Sequence, residues 1–273
     1  MKKKILIIVS IVVFLALCVV NATLINTKQL SIREETLQNK KIDKSFDNFV
    51  IAFFSDLYLD KADDQILDKT VNSINKYSPD VIIFGGDIAF NINSLNQENT
   101  IEKLASLNAK YGKYAVLGEN DNEASKQILV SSGFKILDNN SVQLYLDKTN
   151  YINIVGLENM INGSPNISDA FNNVNSNHLV VSICHTPDIA YRMNNGKTDL
   201  LLSGHSLGGE IYLPIINNFT REKGAENYFH GIYNLGNTIV DVSNGVGLKN
   251  KSARLFADAE VVIYKLKAEV ISD

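Results

Sequence analysis

Carboxylates and imidazoles follow short apolar segments at several places in this chain. Each segment is a run rich in Val, Ile, Leu or Phe that leads into a polar residue, and these residues are Asp56, Asp87, Glu119, His185 and His205. Side chains of these types bind divalent cations through oxygen and nitrogen. Two such cations about 3.5–4 Å apart can orient a phosphoester and neutralise charge during an in-line displacement. The residue types therefore indicate a site for divalent cations.

The segments that precede these residues predict the elements that position them. They read as strands without alternation, a pattern that suits strands buried on both faces and covered by helices; they are residues 49–56, 80–87, 113–121, 178–185 and 199–205. Apolar spacing predicts helices over about 62–76 and about 96–109. Since ligands gather beyond the carboxyl ends of strands in such sheets, the polar residues are expected to converge.

The two ends of the folded part carry weaker strand signals. Residues 28–37 alternate in polarity and predict an edge strand. The segments IYNLGNTIVDVSNG and EVVIYKL predict a β-meander, with turns at Gly236-Asn237 and Asn244-Gly245.

The motifs, in this order, resemble the calcineurin-like metallophosphoesterase superfamily, in its bacterial membrane-anchored branch. The family pattern is D-x-H, G-D, G-N-H-D, a histidine after a strand, and G-H-x-H; the segments here are SDLYL, GGDIAF, GENDN, CHTPD and SGHSLGGEI. HTPD, SNGVG and RLF extend the resemblance over residues 29–267. It implies an α/β fold, a four-layer α/β/β/α sandwich with the site at one edge of two sheets.

The resemblance implies two cation sites that share Asp87. The first would use Asp56, Asp87 and the residues at positions 58 and 207. Tyr58 and Leu207 stand where the family has histidine, so these two slots are degenerate. An apolar plug formed by the two side chains is the expected fate of the first site.

The second implied site retains its ligand set. Asp87, Glu119, His185 and His205 occupy the four positions, and Glu119 replaces an asparagine of the family. We therefore expect one divalent cation, Mn, Zn or Fe, at these residues. Three carboxylates without a cation would repel one another, so that at least one would take up a proton or turn away.

The motif GENDN also holds the residues that the resemblance places in catalysis. Asn120 occupies the slot of the family histidine that approaches the phosphate, and Asp121 follows it. An asparagine donates a hydrogen bond but transfers no proton near neutral pH. A slip of one residue would make Asn120 a ligand, but Gly118 and Asp121 bracket the motif without such a slip.

Structural roles compete with these assignments. Asp56 and Asp87 could cap backbone amides after strands, and Glu119 could be a solvated loop acid. His178 is expected at the surface, and His230 is expected to be structural or exposed.

The first residues predict a membrane anchor. Three lysines precede an uncharged run from Ile5 to Ile25, which at about 1.5 Å per residue is long enough for a bilayer core of about 30 Å. The lysines favour a cytoplasmic N-terminus and an extracytoplasmic domain. We therefore expect an anchor over residues 1–26 and a metallophosphoesterase domain over 27–273; a cleaved signal peptide is the alternative.

Composition and cysteine usage exclude other classes. A net charge of −4 provides no basic surface for nucleic acid. Two cysteines, Cys18 in the apolar run and Cys184 in a strand, do not form a disulfide framework.

Two functions are favoured over a purely structural domain without metal, because such a domain would leave the four positions of the second site intact by accident. The first is a membrane-anchored hydrolase with a weakened site, acting on a phosphorylated small molecule or a lipid or wall precursor. The alternative is a pseudoenzyme that binds a phosphorylated ligand or a protein partner without turnover.

Overall fold

The computed structural model of the chain describes residues 2–62, 65–193, 196–213, 221–249 and 252–269. The strands in these parts are β1 (Ser31–Asn39), β2 (Val50–Phe54), β3 (Val81–Phe84), β4 (Lys113–Ala115), β5 (Phe134–Ile136), β6 (Asn140–Tyr145), β7 (Tyr151–Leu157), β8 (Val180–Cys184), β9 (Leu200–Ser203), β10 (Gly231–Leu235), β11 (Thr238–Val242) and β12 (Glu260–Ala268). The α-helices are α1 (Lys2–Val20), α2 (Ile66–Lys76), α3 (Gln97–Ala105), α4 (Glu123–Ser131) and α5 (Ile167–Ala170).

The strands form two six-stranded mixed sheets. The first has the order β1-β12-β2-β3-β4-β5, and the second has the order β10-β11-β9-β8-β7-β6. Neighbouring strands from β2 to β5 are parallel in the first sheet, as are β7, β8, β9 and β11 in the second. The parallel strands of each sheet therefore end at a common edge.

Alternate residues of these strands pack in different layers of the core. Phe53 and Ile83 of the first sheet and Val181 of the second belong to a buried cluster between the sheets. Phe54 faces the other way and packs with residues of α2, α3 and α4. Beyond the second sheet, a third cluster includes residues of α5 and of the 3-10 turn Pro187–Tyr191. The predicted four-layer α/β/β/α arrangement is confirmed.

The two helix predictions hold within a few residues. The helix predicted over about 62–76 is α2, which begins at Ile66; residues 63–64 lie outside the described parts. The helix predicted over about 96–109 is α3, which begins after Asn96 because that side chain accepts a hydrogen bond from the Asn99 amide. The edge strand predicted over 28–37 is β1.

The predicted β-meander is correct only in its first part. Strands β10 and β11 form an antiparallel hairpin across Gly236 and Asn237. The last strand does not continue that sheet, because the chain crosses to the first sheet, where β12 lies between β1 and β2. The buried guanidinium of Arg254 stabilises the crossing by donating to the carbonyl oxygens of Asn244 and Ala257.

The first helix is long and apolar enough to cross a membrane. The most apolar 18-residue window of the helical stretch Lys2–Lys28 has a mean hydropathy of 3.1, and 6% of that window is buried. Its base contacts the domain: the Arg254 amide donates to the Ala22 carbonyl (2.9 Å), and Asn26 Nδ2 donates to the Arg254 carbonyl (3.1 Å). The segment that crosses between the sheets, which contains Arg254, therefore contacts the carboxyl-terminal end of this helical stretch.

Candidate metal centre

The predicted ligands lie just beyond the carboxyl ends of strands from both sheets. Asp56, Asp87 and Glu119 follow β2, β3 and β4, while His185 and His205 follow β8 and β9. Ligand atoms of Glu119, His185 and His205 lie within 4.8 Å of one another, as do those of Asp56, Asp87 and His185. The structure thus brings all of these residues together where the two sheets meet.

The backbone is left-handed at several of the motif positions. The φ angle is 54° at Asp56, 63° at Asp87 and 74° at His205. The degenerate positions share this geometry, with 41° at Tyr58 and 49° at Leu207. Such a conformation costs about 1–3 kcal/mol per residue with a side chain and persists where the surrounding structure enforces it. The loops therefore keep a strained shape that turns these side chains toward one centre.

Close contact between the loops explains the glycines of the motifs. A β-carbon at Gly118 would lie 2.1 Å from Asp87 Oδ1, and one at Gly86 would lie 2.5 Å from the Gly118 nitrogen. Gly86 also has a φ of 101°, which glycine adopts at little cost. These glycines let the GGD and GEND loops touch behind the ligands.

Both imidazoles are oriented by backbone carbonyl groups. His185 Nδ1 is 2.7 Å from the Gly85 oxygen, and His205 Nε2 is 2.9 Å from the Lys223 oxygen. Since a carbonyl oxygen only accepts, those two nitrogens carry protons. The opposite nitrogens, His185 Nε2 and His205 Nδ1, face Glu119 Oε2 at 2.9 and 3.0 Å.

This arrangement fits a divalent cation. His185 Nε2 is buried and has no hydrogen-bond partner, because Glu119 Oε2 is near but does not lie in a hydrogen-bonding direction. Burial lowers the pKa of His185, but the charges of Asp87 and Glu119 outweigh it and raise that pKa well above its usual value. Positive charge is therefore favoured between the imidazoles and the carboxylates, and this donor set of imidazole nitrogen and carboxylate oxygen is one that divalent metals bind.

Hydrogen-bond donors also contact the Asp87 carboxylate, whose Oδ2 lies 3.3 Å from His185 Nε2. The Tyr58 hydroxyl donates to Asp87 Oδ2 (2.5 Å), and Asn120 Nδ2 donates to the same oxygen (2.7 Å). The Asn120 amide donates to Oδ1 (2.9 Å). Burial raises the pKa of Tyr58 well above its usual value, so its hydroxyl keeps the proton. The ring of Tyr58 stacks on Phe90 with centroids 4.5 Å apart.

The remaining residues of the first implied site are deeply buried. Leu207 is 1% exposed, in the 3-10 turn Leu207–Gly209. Both carboxylate oxygens of Asp56 accept from the His205 amide (3.2 and 3.0 Å), and Ser55 Oγ donates to Asp56 Oδ2 (2.6 Å). Burial raises the pKa of Asp56. Asp56 therefore links the end of β2 to the loop that carries His205.

Asp121 lies behind the ligand loops. Its carboxylate accepts from the amides of Asp87 (2.7 Å), Ile88 (3.1 Å) and Gly118 (2.9 Å). Burial and the nearby charge of Asp87 raise the pKa of Asp121 to about 6. In this position Asp121 fixes two motif loops against each other, and its catalytic role stays a prediction.

Comparison with known proteins identifies the family. The sequence pattern of the calcineurin-like phosphoesterases matches residues 49–209. The chain belongs to this family. Its members use divalent metals, which agrees with the donor set at the meeting point of the two sheets. The resemblance carried by the motifs is confirmed at the level of the family.

Metallophosphoesterases similar to this one come from several bacteria. The uncharacterized metallophosphoesterase YkuE of Bacillus subtilis is 29% identical over 242 residues, which cover 86% of this chain and 85% of that protein. Uncharacterized metallophosphoesterase Cj0846 of Campylobacter jejuni is 29% identical over 247 residues, covering 86% and 64%. The UDP-2,3-diacylglucosamine pyrophosphatase LpxG of Chlamydia muridarum is 25% identical over 276 residues, covering 79% and 82%.

Two further charged residues at this metallophosphoesterase site were missed by the sequence reasoning. Lys249 Nζ lies 2.9 Å from Glu119 Oε1 and 2.6 Å from Glu222 Oε2. Burial lowers the pKa of Lys249, but both carboxylates raise it to a net value above its usual one. Nothing in the segment GLKNK distinguishes this lysine from a solvated one, so only the folded structure reveals the contact.

The other two histidines have partners away from the ligands. His230 Nδ1 is 2.8 Å from Asn244 Oδ1, and its ring stacks on Tyr212. His178 stacks on Tyr151, with ring centroids 4.0 Å apart. Cys184 is fully buried, as expected for a structural thiol.

Proposed function

We propose that this metallophosphoesterase hydrolyses a phosphoester with one divalent cation bound by Asp87, Glu119, His185 and His205. The observation that carries the proposal is the orientation of the two imidazoles around Glu119. The carbonyls of Gly85 and Lys223 accept from His185 Nδ1 and His205 Nε2, so that His185 Nε2 and His205 Nδ1 lie beside Glu119 Oε2 (2.9 and 3.0 Å). A buried carboxylate flanked by two imidazole nitrogens calls for positive charge, which a divalent cation would supply.

The protein residues supply orientation and charge. A bound cation would acidify water and neutralise phosphate charge. The carbonyls of Gly85 and Lys223 fix both imidazoles, so little reorganisation is needed on binding. Asn120 donates a hydrogen bond but carries no transferable proton, and loss of a general acid lowers rates by about 10²–10⁴. We therefore expect this site to hydrolyse phosphoesters more slowly than a site that has histidine at position 120.

A single cation is proposed because donors replace the first one. Tyr58 and Asn120 both donate hydrogen bonds to Asp87 Oδ2 and so stabilise its negative charge. Leu207 offers no ligand atom. The degenerate slots Tyr58 and Leu207 thus leave the second set of ligands as the working site.

We propose a substrate at a membrane surface, a phosphorylated lipid or wall precursor. The relative LpxG is named a UDP-2,3-diacylglucosamine pyrophosphatase, and that name describes a diacylated, phosphorylated substrate. The helical stretch Lys2–Lys28 is apolar enough to be a single membrane span. The lysines before it favour a cytoplasmic N-terminus and place the domain, residues 27–273, outside the cytoplasm.

A ligand-binding pseudoenzyme is the second candidate. Asn120 Nδ2 lies 2.7 Å from Asp87 Oδ2, so the residue in the proton-donor slot serves as a partner of a ligand carboxylate. A protein of this kind would bind metal and phosphate without turnover.

Metal content and turnover of the full-length protein separate these functions. The protein is purified in detergent without chelator, and an aryl phosphodiester is supplied with Mn²⁺. We expect one metal per chain and slow, metal-dependent turnover, both lost in His205→Ala. His178→Ala is the matched control, since His178 stacks on Tyr151 at the opposite end of β8. Bound metal without turnover would favour the pseudoenzyme, and a protein that binds no metal would refute both.

A further inference from the structure

Lys249 places a cationic side chain beside the metal ligands. It lies in the loop after β11, and its ammonium group contacts Glu119 Oε1 (2.9 Å) and Glu222 Oε2 (2.6 Å). The lysine side chain is 11% exposed, so its position is largely enclosed. Its backbone is also held, because the Lys249 amide donates to Glu210 Oε1 (2.7 Å). Contacts therefore fix both the backbone and the ammonium group of Lys249 beside the proposed ligands.

The two oxygens of the Glu119 carboxylate have different neighbours. Oε2 faces the imidazole nitrogens of His185 and His205, and Oε1 faces the ammonium group of Lys249. Lys249 therefore stands on the far side of the same carboxylate that would bind the cation.

The charges around Lys249 support a role for this residue in the site. Four carboxylates, Asp56, Asp87, Glu119 and Glu222, lie around the cation position and Lys249, so the proposed single divalent cation would leave up to two negative charges. The ammonium group of Lys249 offsets one of them. An ammonium has three donors, two of which meet Glu119 and Glu222, so one remains for a phosphate oxygen.

We propose that Lys249 is the fixed cation of the site, which binds the phosphate of the substrate in place of a second metal ion. The inference rests on the proposed function, since it concerns the phosphate bound beside the single cation. Lys249 keeps Glu119 in place and binds a phosphate oxygen with its remaining donor. This makes Lys249 a substrate-binding residue with a preference for phosphate groups.

Binding of Mn²⁺ and of inorganic phosphate to the full-length protein tests this role by calorimetry. Lys249→Met removes the charge, so phosphate should bind the Mn²⁺-loaded protein about 10–100-fold more weakly. Mn²⁺ itself should bind at least as tightly, because a neighbouring positive charge is lost. Lys249→Arg, which keeps the charge, should restore most of the phosphate affinity. Opposite responses to the two probes distinguish phosphate binding from simple support of Glu119.

The control is Lys41→Met, which removes the same charge from the Lys41–Asp199 pair (2.8 Å) at the amino end of β9. It should leave both isotherms unchanged. Equal weakening of Mn²⁺ and phosphate in Lys249→Met would overturn the proposal, and so would unchanged phosphate binding. A wild-type protein that binds Mn²⁺ but no phosphate overturns it too, whereas one that binds no Mn²⁺ removes the proposed function itself.

Discussion

The hydroxyl of Tyr58 occupies the side of Asp87 where the family resemblance places the first cation, and its removal has a defined cost. Tyr58→Phe deletes one buried hydrogen bond to a carboxylate (2.5 Å) and keeps the ring on Phe90. Such a bond contributes about 1.5–3 kcal/mol. For a domain of this size each kcal/mol shifts Tm by about 2–4 °C, so we expect a decrease of about 3–12 °C without metal.

Metal should reduce this deficit. Asp87 Oδ2 without its tyrosine donor interacts more strongly with a cation, and a ligand that binds only the folded protein stabilises it in proportion to its affinity. We therefore expect tighter Mn²⁺ binding in Tyr58→Phe and a smaller Tm difference from wild type at saturating Mn²⁺. Thermal unfolding with and without Mn²⁺ measures both effects.

Tyr264→Phe is the matched control for this experiment. The Tyr264 hydroxyl donates to Asp241 Oδ2 (2.6 Å), which is also a buried bond to a carboxylate but lies away from the ligands. Its deficit should be the same with and without Mn²⁺. An equal deficit in Tyr58→Phe under both conditions, or weaker Mn²⁺ binding, would refute the idea that Tyr58 replaces a cation.

Two further predictions concern the ligand loop and an exposed hairpin. Gly118→Ala would place a β-carbon 2.1 Å from a carboxylate oxygen of Asp87; overpacking should cost about 1–3 kcal/mol and weaken Mn²⁺ binding in calorimetry, and an unchanged isotherm would contradict this. Amides of Asn150 and Thr149 hold the pKa of Asp147 at about 2, below its usual 3.8. Its stabilising effect is therefore complete above pH 3.8 and is lost as pH falls through 2, and an NMR titration midpoint near 4 would contradict that value.

The convergence of the proposed ligands was predictable from the sequence because it depends on strand ends. Runs of Val, Ile and Phe without alternation require strands buried on both faces, and the polar residues that follow, such as Asp56 and His185, then meet at the sheet edges. The helix α2 was predicted because its buried residues recur on one face.

Contacts between distant side chains were not predictable in the same way. No periodicity places the Tyr58 hydroxyl on Asp87 or the Lys249 ammonium on Glu119, since both depend on how separate loops pack. The position of β12 was wrong for a related reason: a turn signal at Asn244 marks a change of direction but not the sheet that the chain joins. Strands β5 to β7 had no sufficient signal and were missed.

The carboxyl-terminal end of the first helical stretch contacts the segment that crosses between the sheets, and that segment also contacts the candidate metal centre. The Arg254 carbonyl accepts a hydrogen bond from Asn26 Nδ2, and the Arg254 amide donates to the Ala22 carbonyl. The same crossing segment also contacts Asp56, whose carbonyl accepts from the Gly247 amide (2.7 Å). On the proposed membrane topology, these contacts would hold the domain against the end of the helix and would not leave it on a flexible linker. The metal centre would then stay at one height above the bilayer, and only phosphate groups carried at that height would reach it.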